Sequence, residues 1–223
     1  MFSTFQFPDP ETADPDGLLA MGGNLEVDTL LSAYSQGIFP WYGEDSPKLW
    51  WSPDPRLVLF PENYRASKSL LQTIKKNVFE IRFDENFEQV IHHCANVKRK
   101  GQTGTWITSE MQDAYIELHE AGYAHSVETY YKNKLVGGLY GVSLGTAFFG
   151  ESMFYLMRDA SKVAFHYLMS RLDRWKFRLV DAQQSTQHLK NLGATEIPRK
   201  QFLVDLKEAT KEKSKTGKWK LRE

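Results

Sequence analysis

Two predicted strands end on polar side chains that can exchange protons or hydrogen-bond a ligand. Asp181 and Gln183 lie two residues apart in the segment 177–183, and strand side chains repeat every two residues, so both project to one side. Glu151 lies at the end of a second strand, 146–152. If the fold brings the two strand ends together, Glu151 and Asp181 form a site with two negative charges, which favours a cationic group. On the residues alone, an alternative stays open: a strand-end Asp that accepts backbone N–H bonds, an exposed Gln and a surface Glu.

Cysteine and histidine usage predicts no metal centre. Cys94 is the single cysteine, so it can form neither an internal disulfide nor a thiolate cluster, as is typical of a reducing compartment. His92 and His93 are adjacent on a predicted helix and therefore point to different faces. The N-terminus has no basic region followed by an apolar run, and no stretch of 18 uncharged apolar residues occurs. We expect a cytoplasmic protein without metal or membrane.

Charge is balanced overall but divided along the chain. Lys and Arg total 28, as do Asp and Glu, and 41% of the 223 residues are hydrophobic, which excludes disordered, collagen-like and coiled-coil classes. Residues 1–62 hold two basic and ten acidic side chains, a net charge of −8, so the remainder carries +8. Such a positive field favours a polyanion such as RNA, although solvated lysines are the alternative for any one cluster. The candidate phosphate contacts are Lys68, Lys75, Lys76, Lys98, Arg99 and Lys100.

Proline distribution divides the chain into two parts. Eight of the nine prolines fall within residues 1–62. This distribution predicts a small loop-rich lobe over 1–62, followed by a larger domain over 63–223. Within the lobe we expect a short helix capped by Asp28. Hydrophobic periodicity then predicts the elements of the larger domain. Helices are expected over 66–76, 87–97, 110–121 (capped by Ser109) and 160–175, with a short helix after Ser185 or Thr186. Strands are expected over 78–83, 125–132, 135–144, 146–152 and 177–183. Asn133-Lys134 is expected in a turn.

This order of elements is similar to that of the GNAT acyltransferase superfamily, in which a mixed sheet splays between two central strands. The expected fold class is therefore α/β (α+β), a GNAT-like mixed sheet flanked by helices. A CoA-dependent member needs a Gly-rich turn at the start of its central helix, because backbone N–H groups there approach the pyrophosphate. The segment 153–160, MFYLMRDA, contains no glycine, which disfavours CoA as the acyl donor.

Nine short strings resemble, in order and spacing, the leucyl/phenylalanyl-tRNA–protein transferase family. They are LLAMGGNL (18–25), GIFPWY (37–42), LWWSPDPR (49–56), GTWIT (104–108), LVGGLYGV (135–142), FFGESMF (148–154), DASK (159–162), VDAQ (180–183) and HLKNLGA-x-x-IPR (188–199). The resemblance implies transfer of Leu or Phe, with Met as a further candidate donor, from aminoacyl-tRNA to proteins that begin with Arg or Lys, which marks them for bacterial N-degron degradation. It also implies no organic cofactor. A CoA-dependent N-acetyltransferase and a non-catalytic tRNA-binding module are the competing hypotheses.

The resemblance also implies roles for individual residues. Asp181 and Gln183 match the family's proposed catalytic pair, in which Asp polarises Gln; we expect Gln183 to orient the attacking amine, since a neutral amide is a very weak base. Glu151, in the Gly-Glu-Ser motif, is expected to bind the cationic acceptor. The remaining substrate-binding positions are Trp41 and Trp106 for the 3′ end of the donor, Gly150 and Ser152 beside Glu151, and Leu139, Phe148, Met153, Phe165, Leu168 and Val180 for the Leu or Phe side chain.

One turn departs from the family pattern. After Phe154 the family usually reads Ser-Arg, whereas this chain has Tyr155 and Leu156, with Arg158 two positions later. We therefore expect a polar contact from that turn to be missing.

Overall fold

The computed structural model describes residues 6–97 and 105–220. Within these ranges the chain forms a three-stranded sheet, a seven-stranded sheet and seven α-helices. The predicted basic residues Lys98, Arg99 and Lys100 lie outside the described ranges. No helix in the described part of the chain is long and apolar enough to cross a bilayer.

The small antiparallel sheet lies at the N-terminal end of the chain. It has the order β1-β3-β2, with β1 at Leu18–Met21, β2 at Phe39–Pro40 and β3 at Leu49–Trp51. Helix α1, Val27–Ser35, connects β1 to β2. Its N-cap is Glu26 rather than the predicted Asp28, which lies in the first turn, where the helix dipole favours a carboxylate. The helix begins early because Asn24 Oδ1 accepts hydrogen bonds from Glu26 N and Thr29 Oγ1.

The seven-stranded sheet carries most of the larger domain. Its strand order is β10-β4-β9-β8-β7-β6-β5, and only β8 and β9 are parallel among its neighbouring pairs. The strands are β4 Arg56–Leu59, β5 Glu80–Phe83, β6 Ala124–Tyr131, β7 Lys134–Leu144, β8 Ala147–Tyr155, β9 Leu179–Gln183 and β10 Thr195–Ile197.

The parallel pair separates partway along its length. Strands β8 and β9 pair only from Ala147 opposite Leu179 to Phe149 opposite Asp181, yet β8 continues to Tyr155. A register shift opposite β7 leaves Glu151 without a partner residue, so the strand bends where its backbone leaves β9. The predicted GNAT-like mixed sheet with a splay between two central strands is therefore confirmed.

Helices cover both faces of this sheet, as predicted. They are α2 Lys68–Lys75, α3 Phe87–Asn96, α4 Ser109–Glu120, α5 Ala160–Arg174, α6 Gln187–Lys190 and α7 Arg199–Thr210. Buried side chains of α1, α3, α4 and α7 form one core, and those of α2 and α5 form a second core across the sheet. The splay between β8 and β9 thus opens between two independently packed layers.

Several predicted details were wrong. Helix α4 is capped by Thr108, whose Oγ1 accepts from Met111 N, instead of by Ser109. The β6–β7 turn is at Lys132-Asn133, both with positive φ, one residue before the predicted position. Strand β8 runs three residues further than predicted, while β10 and α7 were not predicted. Their short or strongly polar sequences give little periodic signal.

The proposed boundary between 1–62 and 63–223 stays a prediction. Strand β4 precedes that boundary in sequence but pairs with β9 and β10 in the larger sheet.

Candidate active site

A cavity of about 400 Å³ occupies the splay between β8 and β9. Every residue predicted to be catalytic or substrate-binding lines it. These residues are Trp41, Trp106, Leu139, Phe148, Gly150, Glu151, Ser152, Met153, Phe165, Leu168, Val180, Asp181 and Gln183. The sequence-based set is therefore one site in space, and the roles of its members remain predictions.

Asp181 is tied to a buried arginine. Arg56 on β4 donates to both carboxylate oxygens, from Nε to Oδ1 at 2.8 Å and from Nη2 to Oδ2 at 2.7 Å. Its third nitrogen, Nη1, donates to Gly37 O at 3.0 Å, and the guanidinium lies between the rings of Phe39 and Phe202. Neither Arg56 nor Asp181 has accessible surface. A two-bond Arg–carboxylate pair of this kind fixes geometry as well as charge.

Gln183 is held by the same carboxylate through its backbone. Gln183 N donates to Asp181 Oδ1 at 2.8 Å, and the residue has a φ of 61°, a left-handed conformation that non-Gly residues rarely adopt. Its side-chain Nε2 donates to Glu151 Oε1 at 3.0 Å. Asp181 therefore contacts the main chain of Gln183, while the Gln183 carboxamide contacts Glu151. The side-chain Oε1 is left as an acceptor.

Glu151 lies at the centre of the polar network. Tyr34 OH donates to Oε1 at 2.7 Å. Tyr115 OH lies 3.2 Å from Oε2 and within hydrogen-bond distance of Tyr34 OH, so its single proton is donated either to Oε2 or to the Tyr34 oxygen. Burial raises the pKa of Glu151 to about 7, against the opposing effect of hydrogen bonds from Tyr34, Tyr115 and Gln183. Burial and the Glu151 charge also raise the pKa of both tyrosines. Glu151 can therefore change its protonation state near neutral pH.

The prediction of two negative charges at this site was wrong. Asp181 is compensated by Arg56, which sequence reasoning did not place beside it. Glu151 is the carboxylate of the cavity that carries no matching cation among the described residues. Sequence reasoning did not pair Arg56 with Asp181 because the two residues are far apart in sequence. Only the sheet brings their strands, β4 and β9, together.

An apolar wall forms the other side of the cavity. It combines Leu139 from β7, Phe148 and Met153 from β8, Val180 from β9, and Phe165 and Leu168 from α5. Most of these side chains are buried, but Met153 is only half-buried. An unbranched, deformable side chain at that position suits ligands of different shape.

Trp41 and Trp106 line the cavity from outside the large sheet. Trp51 Nε1 donates to Trp41 O at 2.7 Å, and the two indole rings make an edge contact at 5.5 Å. The small sheet therefore fixes the position of Trp41.

The predicted basic residues that the structure describes lie apart from this network. Lys68, Lys75 and Lys76 are exposed on α2 and its C-terminal cap. In the departing turn, Tyr155 is 62% and Leu156 61% exposed, and neither is among the described residues that line the cavity.

Sequence reasoning missed Arg56, Tyr34 and Tyr115. Arg56 lies in the motif LWWSPDPR, but no role was assigned to it, and a Pro-flanked arginine at the start of a strand carries no periodic signal. The tyrosines come from α1 and α4, whose amphipathic pattern predicts core positions without indicating a polar partner. Among the described residues, no group of three His, Cys, Asp or Glu side chains could hold a metal ion.

The chain thus has a mixed α/β sheet with a cavity in the splay between β8 and β9. A sequence model of the leucyl/phenylalanyl-tRNA protein transferase family matches residues 58–207, and one of that family's N-terminal domain matches residues 23–54. The chain therefore belongs to the leucyl/phenylalanyl-tRNA–protein transferase family and is an aminoacyltransferase. The resemblance inferred from the motifs is confirmed.

Curated relatives match over nearly their whole length. A leucyl/phenylalanyl-tRNA–protein transferase of Myxococcus xanthus is 54% identical over 213 residues, covering 96% of this chain and 91% of the relative. Those of Anaeromyxobacter sp. and Legionella pneumophila are 55% identical over 215 residues and 53% identical over 217 residues. They cover 96% and 97% of this chain, and 92% and 97% of the relatives.

Proposed function

We propose that this chain transfers Leu or Phe from the 3′ end of an aminoacyl-tRNA to the α-amino group of a protein that begins with Arg or Lys. The observation that supports the proposal is the cavity between β8 and β9, in which an apolar wall faces the pair Glu151–Gln183. An apolar side chain and a reacting amine can thus occupy one cavity.

The donor half of the reaction uses the apolar wall and the tryptophans. A pocket of about 400 Å³ accepts a side chain of the size of Leu or Phe together with part of its nucleoside. Trp41 and Trp106 offer flat surfaces to the terminal base, and stacking on an aromatic ring contributes ~1–3 kcal/mol per base. Gly150 and Ser152 flank Glu151 and place backbone groups beside the ester carbonyl.

The acceptor half uses Glu151 and Gln183. The α-ammonium of the acceptor has a pKa of about 8 and Glu151 one of about 7, so the proton passes between them at little cost. Gln183 Oε1 accepts from the remaining N–H and orients the nitrogen lone pair towards the carbonyl. The C–N bond then forms and the ester C–O bond breaks; the proton that the attacking nitrogen loses passes to the departing ribose oxygen, which leaves as the hydroxyl of the tRNA. Glu151 then releases the ammonium proton to solvent.

Asp181 and Arg56 act on this step as positioning residues. Their ion pair holds Asp181 Oδ1 against Gln183 N and so keeps Gln183 in its left-handed conformation. Positioning of this kind matters because a displacement of about 1 Å can cost about 100-fold in rate.

Selection of Arg or Lys at the acceptor rests on charge. Glu151 supplies a carboxylate inside the cavity, and the N-terminal residues 1–62, with a net charge of −8, contribute Phe39, Pro40 and Trp41 to the cavity lining. An acidic surround favours a cationic first residue. The tagged product would enter N-degron degradation, and the reaction would take place in the cytoplasm, where aminoacyl-tRNA is made.

The tRNA body would be held by basic side chains outside the cavity. Lys68, Lys75 and Lys76 are exposed, and Lys98, Arg99 and Lys100 add charge in a part of the chain that is not described. Contacts of this kind bind phosphates without reading sequence.

One experiment separates this proposal from its two alternatives. The protein is incubated with Leu-tRNA and an Arg-initiated peptide, and in parallel with acetyl-CoA and the same peptide, and the products are weighed by mass spectrometry. We expect addition of one leucine in the first reaction and no acetyl group in the second. Acetylation would favour the CoA-dependent enzyme, and tRNA binding without any product would favour a binding module; either result contradicts the proposal.

A further inference from the structure

A tryptophan near the C-terminus lies behind the apolar wall of the cavity. Trp219 is 2% exposed, although it follows a segment without helix or strand. Its indole contacts the ring of Phe148, with centroids 6.0 Å apart, and Phe148 itself lines the cavity. Trp219 lies outside residues 58–207, which the family's sequence model covers.

Trp219 is anchored by a buried acid–histidine pair. Its indole stacks on His125 at 3.8 Å with an interplanar angle of 11°, and Trp219 N donates to Asp84 Oδ2 at 2.8 Å. The same Asp84 oxygen lies 2.7 Å from His125 Nδ1. Upstream, Gly217 N donates to Gly122 O at 3.1 Å. These contacts hold Trp219 by its backbone and its ring together, so the indole has a defined place in the packing.

The space for the Phe148 ring comes from a glycine on the neighbouring strand. Gly141 on β7 provides the space over which the Phe148 ring lies, because a Cβ built at Gly141 would come 2.6 Å from Phe148 Cε1 and Cζ. His125 on β6 is the register partner of Gly141, and Trp219 covers His125. The Phe148 ring therefore lies between the cavity and the indole of Trp219.

We propose that Trp219 is a positioning residue that sets the depth of the amino-acid pocket by holding Phe148 against the cavity, an inference that rests on the proposed function. Protein interiors are close-packed, so removing part of the indole leaves space into which the neighbouring ring can move. A retreat of Phe148 enlarges the pocket. A larger pocket loses contact with Leu and accommodates Phe better, which changes the preference between the two donors.

The test compares Leu-tRNA and Phe-tRNA as donors with one Arg-initiated peptide. For the full-length chain and the variants Trp219→Phe and Trp219→Leu, kcat/KM is measured for each donor and the Phe to Leu ratio is calculated. Because both donors are measured on one preparation, partial unfolding cancels from the ratio. We expect the ratio to rise by at least about threefold in Trp219→Leu, with a smaller rise in Trp219→Phe, where an aromatic ring is retained.

Tyr131→Leu is the control. Tyr131 contacts Phe79 with ring centroids 6.4 Å apart, and neither residue is among the described residues that line the cavity, so the Phe to Leu ratio of this variant should equal that of the unaltered chain. An unchanged ratio in both Trp219 variants, with transfer intact, would overturn the inference while leaving the proposed function standing. Failure of the unaltered chain to transfer either amino acid would contradict the proposed function, and the inference with it.

Discussion

Arg56 and Asp181 form a two-bond ion pair with no accessible surface, at 2.8 and 2.7 Å. The pair joins β4, which follows the small sheet, to β9, which ends at Gln183. It thereby connects the N-terminal part of the chain to the residue that we propose orients the acceptor amine.

Arg56→Met should destabilise the fold because it leaves the buried Asp181 carboxylate without a matching cation. Breaking a buried pair in this way costs about 3–5 kcal/mol, measurable by urea denaturation. The double variant Arg56→Met/Asp181→Leu should recover most of that free energy of unfolding, since a hydrophobic replacement of both partners is often nearly neutral. It should remain inactive, because Gln183 N loses its acceptor. Full activity in the double variant would refute the positioning role.

The pH dependence of transfer should report Glu151. Its pKa is raised by burial to about 7, and the ionised carboxylate is the form that accepts a proton. With Leu-tRNA and an Arg-initiated peptide, we therefore expect kcat/KM to rise with pH through a midpoint of about 7 from Glu151, beside the separate ionisation of the acceptor amine at about 8.

Glu151→Gln is the control for that profile. A carboxamide does not titrate, so the midpoint near 7 should vanish and leave only the ionisation of the acceptor amine at about 8. A variant that keeps the midpoint near 7 would show that another group titrates there.

Glu128 should make stability depend on pH with a definite sign. Burial raises its pKa from 4.5 to about 7, Ser126 Oγ donates to Oε1 at 2.6 Å, and Oε2 is buried without a partner among the described residues. A carboxyl whose pKa is raised in the folded state stabilises the fold fully when the pH lies below the pKa of the unfolded state, 4.5. That contribution is lost as the pH rises through the folded-state pKa of about 7. Glu128→Gln should therefore exceed the unaltered chain in free energy of unfolding by about 1–3 kcal/mol at about pH 8.5. The two should be nearly equal at about pH 4.5; a constant difference would contradict the assignment.

The lysines of α2 should contribute to tRNA binding through phosphate contacts. Reversing the charge of Lys68, Lys75 and Lys76 together should raise KM for Leu-tRNA and reduce the slope of log KM against log salt, with kcat little changed. Lys132 and Lys134, exposed at the β6–β7 turn, provide a control pair whose reversal should change KM less. Equal effects from both sets would indicate general charge attraction instead of a binding face.

Local sequence patterns were sufficient for the elements with strong periodicity. The amphipathic segment of α5 and the alternating strands β6 and β7 were predicted within one or two residues, because each carries a periodic apolar face. The extra length of β8 was not predicted, since the polar residues around Glu151 interrupt its alternation.

Local sequence patterns could not predict contacts between segments that are distant in sequence. The cavity-lining set followed from the motifs, yet the partners of Asp181 and Glu151 did not. Arg56 lies 125 residues before Asp181, and Tyr34 lies 117 residues before Glu151. Only the assembled sheet and its covering helices bring them together, and these partners decide which carboxylate keeps a charge available to a ligand.

Single-turnover transfer by Gln183→Ala tests the central claim most directly. With Leu-tRNA bound in excess enzyme and an Arg-initiated peptide added, we predict a rate about 100-fold or more below that of the unaltered chain, because the amine is no longer oriented. The Kd for Leu-tRNA should be unchanged. Gln187→Ala, at an exposed glutamine on α6, should transfer at the normal rate. A normal rate in Gln183→Ala would contradict the account.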